Sequence, residues 1–198
     1  MEISDCNSKG PSVMYVSHFV TCNDYTRIAC FGRVFAGSIS EGQKVRALAS
    51  SHMSDKDDGC SIVAVQGVCT ILGRNLVTID RGSSGSLVCV EISTKNMAGP
   101  FTIVGADKAC RIADIPYRQS TVIRATVTAK NAGDVESLNR GAKMLSILDP
   151  LCILTQNAAS GSINLEGISK IHLTSIINDL KRKFCKVPLK VSNYEAVC

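Results

Sequence analysis

The sequence lacks any apolar run long enough to cross a membrane. Residues 1–9 also lack the basic start and the apolar block of a secretory signal peptide. The chain has 198 residues, of which 45% are hydrophobic, so it can build one large or two small cores of ordinary size. We therefore expect a soluble, cytoplasmic protein that has no membrane partner.

Closely spaced cysteines are missing, although the chain has ten cysteines. No C-x-x-C pair occurs, and zinc ribbons and small disulfide frameworks depend on such spacing. The three histidines, His18, His52 and His172, share no metal-ligand spacing, and His172 is interpreted as a structural histidine on a periodic helix. The scatter favours reduced thiols that pack as small hydrophobes, and it predicts no metal site.

A phosphate-binding loop for nucleoside triphosphates is absent, because the sequence contains no Gly-Lys pair. The stretch 81–86 (RGSSGS) leads into a predicted strand, whereas an anion cradle needs a helix N-terminus, so a barrel turn is the better interpretation. No pair of carboxylates is placed for catalysis. We predict no catalytic residue, no cofactor bound by this chain and no GTP hydrolysis by the chain alone.

The net charge of +5 is unevenly divided along the chain. Residues 1–106 hold nine Lys/Arg and nine Asp/Glu, a balance of 0, whereas residues 107–198 hold thirteen against eight, a balance of +5. This asymmetry suggests two units, of which the second faces an acidic partner, with RNA the commonest candidate. A basic face that is merely solvated is the alternative, and charge alone does not distinguish the two.

Short runs rich in β-branched and aromatic residues, separated by turn signals, fill residues 13–104. Six or more such runs at close spacing predict a β-barrel domain over residues 1–106. Polar and apolar residues alternate in QKVRAL, so Lys44 and Arg46 should point to solvent while Val45 and Ala47 point to the core.

Two glycines frame the segment before this strand. Gly42 can adopt the positive φ that closes a tight turn, and Gly37 can relieve a bulge or a close approach of two backbones. The pattern predicts a compact turn between two barrel strands.

The pattern changes after residues 107–120, a mixed segment with Pro116 that we interpret as a linker. A strand is predicted over 121–129, helix caps over 131–134, and a helix that ends at 149–150 (DP). Two strands around a turn at Gly161, a second helix and a last strand over 187–191 follow. The residues that define the second helix are Ile168, Ile171, Ile176 and Leu180. The order β-α-β-β-α-β over residues 121–198 is typical of a ferredoxin-like domain.

The predicted strands of this second domain that begin at residues 121, 151 and 162 contain no Phe, Tyr or Trp. This argues against an RNA-recognition module that stacks bases on its sheet. Four cations, Lys181, Arg182, Lys183 and Lys186, lie at the end of the second helix. They suit two explanations, stabilisation of a helix C-terminus and contact with phosphates; the first is favoured, and both can hold.

A barrel followed by a ferredoxin-like domain, with FGRVFAGSISEGQKVR at 31–46, resembles the second and third domains of the elongation factor 2 and elongation factor G family of translational GTPases. Further matches fall in family order over nearly the whole chain. They are 72–74 (LGR), Gly85, 122–130, Asn131, Asp134, 141–143, 149–150, Gly167, His172, Leu173, 179–180 and 187–190 (VPLK).

The resemblance implies a barrel of the translation-factor type, a GTP-binding domain before Met1 and further domains after Cys198. It implies that the parent protein binds GTP in that missing domain and acts on the ribosome in protein biosynthesis. In the family the barrel packs on the GTPase domain and touches ribosomal RNA, while the next domain couples nucleotide state to translocation. Arg33, Lys44 and Arg46 are therefore candidates for contacts with the GTPase domain or with RNA phosphates.

The chain departs from the family at the start of the second helix. The family typically reads G-x-G-E-L-H-L-E there, and this chain has Ser169, Lys170 and Thr174 in place of a glycine and two glutamates. Ser162 and Ile163 likewise stand where the family usually has Glu-His. These departures favour, as an alternative, a scaffold GTPase of the same family in large-subunit ribosome maturation or in the U5 spliceosomal particle. A self-contained cysteine enzyme has only the abundance of cysteine in its favour.

Overall fold

The computed structural model of the chain describes residues 5–21, 28–48, 60–73, 75–93, 99–105, 111–115, 120–157 and 161–197. The chain divides into two compact units, Met1–Ile115 and Pro116–Cys198. The division falls inside the predicted linker segment 107–120. His52 lies outside the described residues.

The described part of the first unit is built from nine strands. They are β1 (Val13–Thr21), β2 (Ile28–Ala36), β3 (Ser38–Ser40), β4 (Lys44–Leu48), β5 (Cys60–Leu72), β6 (Asn75–Thr78), β7 (Arg81–Ser83), β8 (Leu87–Ile92) and β9 (Phe101–Val104). Six of them close into an antiparallel barrel in the order β4-β9-β1-β2-β8-β5, because β5 also pairs with β4. β6 extends the sheet beyond β5, and β3 pairs with β7. The predicted β-barrel is confirmed.

The interior of the barrel is filled by alternate residues of its strands. Met14 lies opposite Val34 on one side and Ile103 on the other, and all three are fully buried. Part of the outer surface is covered by residues 111–115, where the Ile115 backbone N–H donates to the hydroxyl of Tyr15. Burying these branched side chains away from water stabilises the closed sheet.

Both glycines of the predicted turn have the expected conformation. Gly42 has φ +77, and Gly37 has φ +64 and donates its N–H to the carbonyl of Asn7 at 2.8 Å. A Cβ at Gly37 would meet the carbonyl oxygen of Gly10 at 2.6 Å, whereas the space around Gly42 is open. Glycine is therefore needed at position 37 for both its positive φ and the close approach of another backbone, whereas position 42 needs it only for its positive φ.

The second unit has the element order β-α-β-β-α-β, with a short extra strand at its end. Its elements are β10 (Ile123–Ala129), α1 (Val135–Leu148), β11 (Ile153–Asn157), β12 (Ser162–Gly167), α2 (Lys170–Asp179), a π-helical turn (Leu180–Cys185), β13 (Leu189–Val191) and β14 (Glu195–Ala196). The strands form one antiparallel sheet in the order β11-β12-β10-β13, and β14 pairs with β10. This is an α+β unit that follows a β-barrel, as the sequence predicted at that level.

Both helices pack on one face of this sheet. The core contains Val127 and Leu165 from the strands, Leu138 from α1 and Leu173 from α2. Along β10 the residues alternate between this core and the opposite face, as the period of a strand requires. We call the face away from the helices the open face of the sheet.

The predicted apolar stripe of the second helix was wrong at its beginning. Ile171 is 81% exposed, and Ile168 precedes the helix, while the buried positions are Leu173, Ile176 and Ile177. The helix starts only at Lys170, and its period turns residues 173, 176, 177 and 180 toward the sheet.

The predicted caps of the first helix also differ. Neither Asn131 nor Asp134 makes a side-chain cap hydrogen bond. Instead, the Asn131 side-chain amide donates to the carboxylate of Asp134 at 2.9 Å.

Among the described residues, no helix is long and apolar enough to cross a membrane.

Candidate functional site

Lys44 and Arg46 occupy the outer face of strand β4. Lys44 is exposed and Arg46 is half-buried, while Val45 and Ala47 are buried, so the predicted alternation is confirmed. The Nε–H of Arg46 donates to the sulfur of Cys60 at 3.1 Å. Arg46 is thus partly engaged within the barrel, and Lys44 is the freer cation of the two.

Arg33 lies on the outer face of β2 in mostly apolar surroundings. Its guanidinium sits over the ring of Phe35 at 5.6 Å, a cation–π arrangement. Across the strands it lies opposite Tyr15 on one side and Leu87 on the other, and Leu87 is 57% exposed. An arginine beside an exposed leucine and aromatic side chains is typical of a protein contact surface.

The barrel does not gather its three predicted cations into one cluster. Strands β9 and β1 lie between β4 and β2 in the sheet. With about 4.8 Å between neighbouring strands, Arg33 is roughly 14 Å around the barrel from Lys44 and Arg46. The barrel therefore presents two separate cationic positions.

The second predicted cluster lies on the π-helical turn that continues α2. Arg182 and Lys186 are exposed, and Lys181 and Lys183 are half-buried. Lys186 ends the helical segment with a left-handed backbone, φ 54. The cluster thus lies at the C-terminal end of the continuous helix, where cations complement the helix dipole.

One member of this cluster is already paired. The Lys183 Nζ lies 2.9 Å from Asp179 Oδ1, at the helical spacing of four residues. Within the described part of the chain, no carboxylate pairs with Lys181, Arg182 or Lys186. Contact with an anion would therefore fall first to these three.

The glycine-rich stretch at 81–86 is a strand connection. Arg81 to Ser83 form β7, Gly85 has φ +87, and β8 begins at Leu87. The Gly85 N–H donates to the carbonyl of Val34 at 2.7 Å, so it is used inside the barrel. The predicted barrel turn is present at this position.

Several cysteines are buried thiols with low nucleophilicity. Burial raises the pKa of Cys30 to about 12, with a smaller contribution from Cys89. Burial, with Asp149 and Glu166 nearby, raises the pKa of Cys152 to about 12, and burial raises that of Cys185 to about 11. The thiolate is the reactive form, so these three are structural residues. Cys22, Cys110 and Cys198 lie outside the described residues.

His172 joins the two helices of the second unit, a contact that sequence reasoning missed. Its Nε2 lies 2.9 Å from Asp149 Oδ2, just past the end of α1, and its backbone N–H donates to the hydroxyl of Ser169, the N-cap of α2. Its Nδ1 is buried and has no hydrogen-bond partner among the residues that the structure describes. A Cβ at Gly167 would lie 3.0 Å from that nitrogen, so this glycine makes room for the ring.

His18 lies on the barrel, away from any metal ligand set. Its ring contacts Phe31 at 4.8 Å between centroids, and its Nδ1 lies 2.9 Å from Ser17 Oγ. Partial burial lowers the pKa of His18, which favours the neutral form of the ring. Among the residues that the structure describes, no group of three or more His, Cys, Asp or Glu is placed to hold a metal ion.

No protein-family model matches the chain. The candidate site is therefore defined by its own geometry: two cationic positions on the barrel and one cationic helix end on the second unit. Two further exposed cations, Lys130 and Lys190, were not predicted as site residues. Lys130 directly follows β10, Lys190 is the middle residue of the neighbouring strand β13, and only strand register could have revealed that they are close.

Proposed function

We propose that this chain is the barrel and ferredoxin-like part of a translational GTPase of the elongation factor 2 type, which binds the ribosome and couples GTP state to translocation. The observation that carries the proposal is the order of the two units, a closed barrel followed by a β-α-β-β-α-β unit. The motif at 31–46 supports it, because two of its three glycines, Gly37 and Gly42, occupy the turns that connect β2, β3 and β4. The sheet order β11-β12-β10-β13, with both helices on one face, supports a ferredoxin-like interpretation of the second unit.

The barrel would act as a docking block in such a protein. Arg33 lies beside Leu87 and over Phe35, so its surroundings favour a protein partner, which in this proposal is the GTPase domain of the parent chain. Lys44 is exposed on a different strand and suits an RNA phosphate. The proposal therefore gives different partners to the two cationic positions.

A second candidate function is a scaffold GTPase of the same family in large-subunit maturation or in the U5 particle. The residues that depart from the family pattern make specific contacts within the second unit. The Lys170 ammonium lies 5.6 Å from the ring centroid of Tyr194, and the Thr174 hydroxyl lies 3.0 Å from the Tyr194 hydroxyl. Ser169 caps the same helix. Because Ser169, Lys170 and Thr174 all make contacts inside the unit, the replacements favour a paralogue that diverged long ago.

The RNA bound in cells distinguishes the two functions. The native full-length protein is crosslinked in cells, recovered with an antibody against this chain, and its RNA is sequenced. Ribosomal RNA is expected, and subunit association would then separate elongation from maturation. Recovery of U5 small nuclear RNA would refute the elongation proposal and support the splicing one.

Reversing the charge of three cationic side chains at the helix end tests the predicted RNA contact. In a Lys181→Glu, Arg182→Glu and Lys183→Glu variant, ribosome binding is expected to weaken by about tenfold or more at moderate salt, with a shallower salt dependence, because phosphate contacts are lost. Binding is measured by co-sedimentation across a salt titration. Lys183→Ala is the control, because Lys183 already pairs with Asp179 and is expected to matter least. Binding unchanged at every salt concentration would remove this cluster from the site.

A further inference from the structure

The open face of the second unit's sheet is polar and lacks aromatic side chains in its described part. Strand alternation and register place these residues on it: Ile153, Thr155, Asn157, Asn164, Glu166, Arg124, Thr126, Thr128, Lys190 and Glu195. Among the strand residues named, only Ile153, at one end of the edge strand β11, is large and apolar, and the exposed Val122 lies just before β10 at the same end of the sheet. Protein interfaces usually have an apolar or aromatic centre, so this composition does not favour a protein partner.

Hydrogen-bonding groups line the middle of this face. The Thr126 hydroxyl donates to Asn164 Oδ1 at 2.9 Å, which leaves the amide N–H groups of Asn164 without a partner among the described residues. The hydroxyls of Thr128 and Thr155 also lack partners there. Hydroxyl and amide groups of this kind contact phosphate oxygens and sugars in nucleic-acid complexes.

The charges on the open face are segregated along β10. Near its start, Arg124 is paired with Glu166, and Glu195 lies opposite Arg124 on β14. Near its end, Lys190 lies opposite Thr128, and the Lys130 N–H donates to the carbonyl of Pro188. Arg124 and Lys130 are separated by six residues, or about 20 Å along the strand.

Lys130 and Lys190 form a pair at the basic end. They are diagonal neighbours on adjacent strands, a relation that puts Cα atoms about 7–8 Å apart. Both are exposed, and neither pairs with a carboxylate in the part of the chain that the structure describes. The positive charges of the two lysines add at this end of the face, which favours an anion between or above them.

We propose that the open face binds the sugar–phosphate backbone of double-stranded RNA, with Lys130 and Lys190 on phosphates and Thr128, Thr155 and Asn164 on sugar hydroxyls. Single-stranded RNA is held mainly by stacking on aromatic side chains, which this face lacks. Duplex RNA is recognised by shape and by contacts with phosphates and 2′-hydroxyls. The inference rests on the proposed function, since it names the surface and the RNA form involved.

Binding to a defined RNA duplex tests the inference. The full 198-residue chain is titrated against a fluorescein-labelled, mixed-sequence RNA duplex of about 16 base pairs, between about 50 and 200 mM KCl. A Lys130→Gln and Lys190→Gln variant is expected to bind about tenfold more weakly, and its slope of log K against log salt should be shallower by about 2.

The matched control is an Arg140→Gln and Lys143→Gln variant. It removes the same number of charges from exposed positions of α1, which lies on the other side of the sheet. Its duplex affinity is expected to fall by no more than about twofold. Equal losses in the two variants, with circular dichroism unchanged, would overturn the assignment to the open face, and so would failure of the wild-type chain to bind the duplex.

Three further measurements, with duplex DNA, with the single strand and with ribosomes, test which form of RNA binds and distinguish this inference from the proposed function. Duplex DNA of the same sequence and the single strand are expected to bind more weakly than duplex RNA; tighter binding of the single strand would refute backbone recognition of a duplex. Ribosome co-sedimentation of the same variants reports the proposed function. Duplex binding without ribosome binding would refute the ribosomal role and support duplex binding by the open face. Ribosome binding without duplex binding would support the ribosomal role and refute the inference on the open face.

Discussion

Replacing Gly32 with alanine is expected to destabilise the barrel by about 3 kcal/mol or more, enough to abolish folding of a marginally stable unit. Gly32 lies in β2, where β1 passes close to it. A Cβ there would overlap the carbonyl oxygen of Tyr15 and lie 2.8 Å from its carbonyl carbon and 2.9 Å from the Cα of Val16. These are backbone atoms of a paired strand, so relief requires β1 and β2 to separate.

Gly67→Ala is the control for Gly32→Ala. Gly67 is also a barrel-strand glycine, in β5, but a Cβ there would have only Glu91 Cδ within reach, at 3.9 Å. The free energy of unfolding of the Gly67→Ala variant should match that of the wild type or exceed it by up to about 1 kcal/mol, because alanine restricts the unfolded chain. Urea unfolding followed by far-UV circular dichroism, with hydrogen exchange of peptides from β1 and β2, measures both. A Gly32→Ala protein as stable as Gly67→Ala would contradict the close approach.

Replacing Leu173 with alanine is expected to lower the free energy of unfolding by about 2–5 kcal/mol. Leu173 is 0% exposed and packs in the core between α2 and the sheet. Truncating it removes apolar burial and leaves a cavity that tightly packed neighbours fill only partly. Hydrogen exchange of peptides from the second unit is the most direct readout, because it assigns the loss to that unit.

Ile171→Ala, two residues earlier in the same helix, is the comparison for Leu173→Ala. Its side chain is exposed, so the change should stay within about 0.5 kcal/mol. The contrast between the two variants tests which face of α2 meets the sheet. A large loss for Ile171→Ala together with a small loss for Leu173→Ala would mean that the helix is turned the other way.

The candidate surfaces divide between two kinds of partner. On the barrel, Arg33 has aromatic and apolar neighbours, which suit a protein. On the second unit, Lys130 and Lys190 adjoin hydroxyl and amide groups, which suit a nucleic-acid backbone. A chain that contacts both a protein and an RNA fits the proposed role of relaying nucleotide state to an RNA-bound assembly.

The sequence by itself determined the features that depend on local periodicity and backbone conformation. Lys44 and Arg46 point outward because a strand alternates every residue, and Gly37 and Gly42 mark turns because they adopt positive φ at little cost. Tertiary structure decided what depends on distant segments. Ile171 is exposed and Leu173 buried because the sheet, and not the helix alone, selects the buried face. Lys130 and Lys190 become neighbours only through the register of β10 with β13, which no local pattern encodes.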